Sequence, residues 1–157
     1  MHLASYSLMT EFVIKHVLPG MKVAEIGAYN VNGTFRPLFA HCHYVGLDIV
    51  AGPNVDRVVA QYDFGKDEFD AVVSGSTMEH VEDIYAWAQA VVALAVPGGL
   101  VCVIAPHTWG EHKHPLDCWR ILPDGMRWLF VKKLGVAELE CRAGETDTIF
   151  MGRLPLA

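Results

Sequence analysis

Three of the chain's eight histidines fall within one short stretch, Pro106-His107-Thr108-Trp109-Gly110-Glu111-His112-Lys113-His114-Pro115-Leu116-Asp117-Cys118-Trp119-Arg120. Imidazole titrates near neutrality and serves as a general base. His107 is therefore the first candidate for moving a proton, with His112, His114 and Asp117 behind it. Trp109 and Trp119 offer flat faces to a planar or sugar-like acceptor, and Arg120 offers a fork for a carboxylate or phosphate. His107, His112, His114 and Cys118 are also acceptable zinc ligands, but the second half of a zinc motif is missing and no metal is expected. A structural reading stands beside these: a loop held by Trp119 and an Asp117–Arg120 pair.

A second constellation lies upstream. An apolar run enters Glu25-Ile26-Gly27, and a polar loop, Ala28 to Thr34, follows. Another apolar run, Tyr44 to Ile49, carries Asp48 near its end, 21 residues after Gly27. A carboxylate at the end of a second strand accepts hydrogen bonds from both hydroxyls of a ribose. Gly27 allows close backbone approach. Such a loop either cradles a phosphate or wraps an adenosine-bearing ligand that has none. The dinucleotide fingerprint needs glycines at the first, third and sixth positions from Gly27, but the residues there are Gly27, Tyr29 and Asn32. No Gly-Lys-Ser/Thr of a phosphate-binding loop occurs. These failures disfavour a nicotinamide-dependent oxidoreductase.

The elements that must position these residues alternate. Ser7 to Val17 has helical apolar spacing and stops at Leu18-Pro19-Gly20. Strands are predicted at Lys22–Ile26, Tyr44–Ile49, Val55–Ala60, Phe69–Ser74 and Leu100–Ala105. A short helix from an N-cap at Thr34 to Ala40 follows the first strand. A helix led by Glu82-Asp83 and ended by Pro97-Gly98-Gly99 precedes the fifth. Little room remains between the third and fourth strands, so that crossover is abbreviated. A helix opened by Pro123 and closed before Gly135 leads to a hairpin, Val136–Arg142 and Thr148–Leu154, whose first strand points Ala137, Leu139 and Cys141 inward. The fold class is α/β: an open, mostly parallel sheet with helices on both faces, formed as one domain over residues 1–157.

Four segments in order, Val23-Ala24-Glu25-Ile26-Gly27, Val45-Gly46-Leu47-Asp48, Phe69-Asp70-Ala71-Val72-Val73-Ser74 to Glu79-His80-Val81, and Val96-Pro97-Gly98-Gly99-Leu100, resemble the class I S-adenosylmethionine-dependent methyltransferases. The resemblance spans roughly residues 20 to 130. It implies a Rossmann-like seven-stranded sheet whose final hairpin supplies an antiparallel strand, with S-adenosylmethionine across the C-terminal ends of the first strands. Matched by position, Glu25 and Gly27 belong to the first motif and Asp48 is the ribose-binding acid. Gln61, Tyr62 and Asp63 fall at the adenine, with Asp63 facing its exocyclic amine. Ser74 and Gly75 fall beside the methionine moiety. The usual Gly-x-Gly-x-Gly is replaced by a longer loop, which is implied to collar the amino-acid end through Tyr29, Asn30 and Asn32.

The implied activity is methyl transfer to an unidentified acceptor (small molecule, sugar or macromolecule) by in-line displacement. The sulfonium already activates the methyl group, so the protein mainly aligns the nucleophile. The alternative is a non-catalytic module that binds the cofactor or a partner. The bulk properties bound both readings. A formal charge of −6 with scattered basic residues argues against nucleic acid. With 52% hydrophobic residues, no apolar run reaches the ~18 residues of a membrane span, and no signal peptide is evident. Four cysteines without a CxxC pair suit reduced thiols in a cytoplasm. Composition leaves the oligomeric state open.

Overall fold

The computed structural model describes residues 3–157. Its centre is a seven-stranded sheet in the order β3-β2-β1-β4-β5-β7-β6. The strands are β1 (Lys22–Ile26), β2 (His43–Asp48), β3 (Arg57–Val58), β4 (Phe69–Gly75), β5 (Ala95–Pro106), β6 (Ala137–Ala143) and β7 (Asp147–Arg153). β1 to β5 pair in parallel, and β7 lies antiparallel between β5 and β6. This is the predicted mostly parallel sheet closed by a hairpin.

Both faces are covered because the central strands are mostly apolar. On one face α1 (Leu3–His16) lays Leu8, Met9, Phe12 and Val13 over Val23, Val73, Cys102 and Ile104. The 3₁₀ turn Arg36–Phe39 adds Phe39 to the same layer. On the other face α2 (Ile84–Leu94) contributes Trp87, Val91 and Leu94. There α3 (Pro123–Met126), which continues as π-helical turns over Arg127–Lys133, contributes Met126, Leu129 and Phe130. Asp83 caps α2 by accepting a hydrogen bond from the Ala86 backbone N–H at 2.9 Å, which satisfies one of the helix's open donors. No helix among the described residues is long and apolar enough to cross a membrane.

Several boundaries differ from the sequence expectation. The first helix begins at Leu3, not Ser7. Thr34 does not cap a full helix; its hydroxyl accepts from the Arg36 N–H ahead of a single 3₁₀ turn. β3 shrinks to two residues: Asp56 just before it pairs with Arg36, and Arg57 within it pairs with Glu68. α2 ends at Leu94, and Pro97-Gly98-Gly99 lies inside β5. Pro97 pushes Val96 to extended backbone, so the chain enters the strand sooner than glycine counting suggests. In β6 only Cys141 is buried, while Leu139 is 43% exposed. An edge strand with a register shift between Glu138 and Glu140 keeps only part of its alternation.

The candidate active-site cleft

The sheet order reverses between β1 and β4. β2 and β3 continue from β1 on one side, and β5 and the hairpin continue from β4 on the other. Ligands of open α/β sheets bind at such a switch point, beyond the carboxyl ends of the strands. A cleft of about 950 Å³ opens there. The segments following β1, β2, β4 and β5 wall it.

The β1 side is built from strand ends. Gly27 has a positive φ of 76°, and a Cβ there would overlap the Thr77 side chain from the loop after β4. Only glycine satisfies both conditions, so Gly27 locks the two loops together. Asp48 ends β2 and turns its carboxylate toward the same loop. Its Oδ2 accepts from the Tyr29 N–H at 3.0 Å and its Oδ1 from the Val50 N–H at 3.2 Å. Each carboxylate oxygen has capacity for a further donor. Glu25 is buried, and the Tyr44 hydroxyl donates to it. Burial pushes its carboxyl up to about 7, against the lowering effect of that hydrogen bond.

Gly27, Tyr29, Asn32, Asp48, Gln61, Tyr62 and Gly75 line the cleft together with Glu25. Asn30 does not; its side-chain oxygen accepts from the Gly33 N–H and so shapes the loop. Asp63 lies in an exposed turn outside the lining, and Phe64 takes a place in the wall. Ser74 is buried and donates its hydroxyl to the Ile26 carbonyl at 2.8 Å, tying β4 to β1. Gly75 faces Phe35, whose ring leaves no room for a Cβ.

The histidine-rich segment forms the opposite wall. Trp109, His112, His114, Pro115 and Leu116 line the cleft across from the Gly27 loop. His107 is turned away: its ring Nε2 donates to the Gly144 carbonyl at 3.1 Å, against the β6–β7 turn. The reason is that β5 runs on to Pro106, so the chain is still following the hairpin when it reaches His107. Asp117 is also outside the lining and faces Arg120 in a two-pronged pair of 2.7 and 2.8 Å. The guanidinium, with the His112 backbone N–H, holds its carboxyl well below the usual range. The loop is fastened as its structural reading foresaw, with the Trp119 indole donating to the Val81 carbonyl at 2.7 Å.

Two features escaped sequence reasoning. The Ser76 hydroxyl is buried on the cleft wall without a hydrogen-bond partner among the described residues, at a φ of 53°. Ahead of α2, the short turn Met78–His80 carries Glu79, 1% exposed, with neither carboxylate oxygen hydrogen-bonded. Glu79 Oε1 stands 3.6 Å from His80 Nε2 and 3.7 Å from His112 Nε2. Burial raises its carboxyl to about 7. Burial likewise lowers the His80 imidazole. The zinc-ligand set considered from sequence is not brought together, since His107 and Cys118 lie apart from this cluster. The Glu79-His80 pair stands out in the sequence, but its meeting with His112 does not.

No protein-family model matches the chain, and no curated protein matches it in sequence. Solved structures do match in shape. The Burkholderia thailandensis 1,6-didemethyltoxoflavin-N1-methyltransferase, solved with 1,6-didemethyltoxoflavin and S-adenosylhomocysteine, superposes with a TM-score of 0.75 at 14% identity, covering 97% of this chain and 79% of its own. The N-methyltransferase NodS from Bradyrhizobium japonicum, solved with S-adenosylhomocysteine, gives 0.66 at 14% identity, covering 96% and 85%. The [4+2]-cyclase SpnF gives 0.72 at 11% identity, covering 96% and 81%. The last shows that this architecture also carries other chemistry, so the site must decide.

Proposed function

We propose that this chain, whose fold is that of the class I S-adenosylmethionine-dependent methyltransferases, binds S-adenosylmethionine and transfers its methyl group to an acceptor held against the histidine-lined wall. One observation carries the reading. The Asp48 carboxylate, at the end of β2, borders the same switch-point cleft as the Gly27 loop, with oxygen capacity left for a diol. The ribose of the cofactor supplies that diol. The apolar walls Leu47, Phe64 and Trp87 suit adenine, and Tyr29, Asn32 and the unpartnered Ser76 hydroxyl suit the polar amino-acid end.

Methyl transfer needs an in-line approach and, for an oxygen or nitrogen nucleophile, somewhere for the proton to go. Among the four acid–base candidates, His112 and His114 border the cleft, whereas His107 and Asp117 do not. His112 Nδ1 donates to the Gly110 carbonyl and its Nε2 faces Glu79, whereas the His114 ring meets the edges of the His80 and His112 rings and makes no hydrogen bond among the described residues. His114 is therefore assigned as the proton acceptor. The whole of residues 1–157 acts as one methyltransferase domain in this reading, working in the cytoplasm on an acceptor that is a small molecule, a sugar or a macromolecule.

A thermal-shift titration tests it. S-adenosylmethionine and S-adenosylhomocysteine raise the melting temperature in a saturable way, and NAD does not. Stabilisation by NAD with none by the sulfonium ligands would overturn the reading.

A further inference from the structure

The cluster opposite the Gly27 loop poses a problem of protons. The His80 ring Nδ1 lies 2.6 Å from the Leu116 carbonyl oxygen, and the His112 ring Nδ1 lies 3.1 Å from the Gly110 carbonyl oxygen. A carbonyl only accepts, so each Nδ1 carries a proton and donates it, which leaves each Nε2 as the ring atom available to a ligand. Both Nε2 atoms stand close to Glu79 Oε1, at 3.6 and 3.7 Å. Glu79 itself is 99% buried by area, with a relative exposure of 1%, and neither of its oxygens finds a donor. Three ligand-type atoms thus converge with no hydrogen bond joining them. Such an arrangement is costly unless something positive completes it.

We propose that Glu79, His80 and His112 form the binding site of one divalent transition-metal ion on the acceptor wall of the cleft. The three ligand atoms lie within 4.8 Å of one another. Ligands at about 2.1 Å from a shared ion stand roughly 3 to 3.5 Å apart, so only a small contraction closes the site. Two imidazoles and a carboxylate suit zinc, iron(II), cobalt or manganese, not calcium or magnesium. Outer contacts that orient metal-binding histidines are also in place. The Leu116 and Gly110 carbonyls fix the two rings, and Asp117 Oδ2 accepts the His112 backbone N–H at 2.7 Å. The loop bearing His112 is pinned to the turn bearing Glu79 by the Cys118 N–H, which donates to the Glu79 carbonyl at 2.7 Å.

Three protein ligands leave open positions, and His80 and His112 face the cleft. Resting on the methyl-transfer reading, the site selects acceptors that carry an oxygen donor. A hydroxyl oxygen bound to the metal becomes more acidic. Its proton passes to His114. The O–CH₃ bond then forms as the S–CH₃ bond breaks, leaving S-adenosylhomocysteine and a methyl ether.

The test uses tag-free protein stripped by a chelator, titrated with Zn²⁺ in a calorimeter and with Co²⁺ by visible absorption. One equivalent binds per chain, and Co²⁺ develops the d–d bands of a site containing imidazole. Glu79→Gln and His112→Asn each weaken binding by at least about 100-fold, since loss of an outer-shell partner alone costs about 10- to 100-fold. His107→Asn, outside the cluster, leaves it unchanged. His112 lies in a surface segment, so that variant keeps the thermal transition of the wild type even if Glu79→Gln does not. Absence of stoichiometric binding, or equal loss in His107→Asn and His112→Asn, overturns the proposal. S-adenosylhomocysteine titrated into the same metal-free protein separates the two readings. Cofactor binding without metal binding defeats the metal site alone, and the reverse defeats only the methyl-transfer reading.

Discussion

The two walls of the cleft are built in opposite ways. On the Gly27 wall the acids are partnered: Asp48 by two backbone N–H groups, and Glu25 by the Tyr44 hydroxyl. On the histidine wall neither carboxylate oxygen of Glu79 has a hydrogen-bond partner among the described residues. The first wall comes from strand ends fixed by the sheet. The second comes from a segment stapled across the sheet edge by Trp119, Arg120 and the backbone of Cys118. A finished wall suits a ligand that is the same in every turnover. A wall with an unmet acceptor cluster suits a group that the chain itself does not supply.

Substitutions that strike one wall and spare the other sharpen this contrast. The largest effect is expected from Asp48→Ala. Loss of two charge-assisted hydrogen bonds to the ribose, each worth about 1.5 kcal/mol or more, lowers affinity for S-adenosylhomocysteine by at least about 100-fold. Calorimetry should find zinc binding unaltered in the same variant. A matching loss of both ligands would break the division into independent walls.

Glu25→Gln addresses the buried acid that has a partner. The folded chain holds the Glu25 proton up to about pH 7, whereas an ordinary glutamate releases it near 4.5. Between those values the unfolded state binds fewer protons, so stability due to this group falls as pH rises and is flat above pH 7. Glutamine mimics the protonated acid and escapes that loss. Urea unfolding should show the variant more stable than wild type by up to about 3 kcal/mol at pH 8, and equal to it near pH 4. A stabilisation that did not depend on pH would contradict the buried-acid account.

The smallest effect on stability is expected from Asp117→Ala. Its partner Arg120 is about a quarter exposed, so the pair is worth about 1 kcal/mol after screening. Its functional mark is selective: the His112 loop loosens, metal affinity and turnover fall, and cofactor affinity stays within about twofold, because no cofactor-wall contact is touched. A drop in cofactor affinity as large as that in metal affinity would place Asp117 elsewhere in the account.

Much of this architecture was legible in the residues. The apolar run Leu100 to Ala105 marked a strand covered on both sides, and it lies at the centre of the sheet. Asp48 and Gly27 were legible because strand ends at a switch point are fixed by topology. His112 and His114 were legible for the same reason, since the segment after the fifth strand must cross the cleft. His107 was misjudged as the leading base because one more paired residue, Pro106, carried it along the hairpin. Ser74 looked like a cofactor contact, but its side chain points back to Ile26. The meeting of Glu79 with His112 had no local sign. It depends on a loop fold set by Arg120 and Trp119, and sequence distance hides such contacts.

The central claim is that the Asp48 end of the cleft holds the ribose of a sulfonium cofactor. A crystal structure of the protein with S-adenosylhomocysteine tests it most directly. Both ribose hydroxyls are expected on the Asp48 carboxylate, adenine between Phe64 and Leu47, and the sulfur facing the histidine wall. Density for the ligand away from Asp48, or a cleft that remains vacant at saturating ligand, would contradict it.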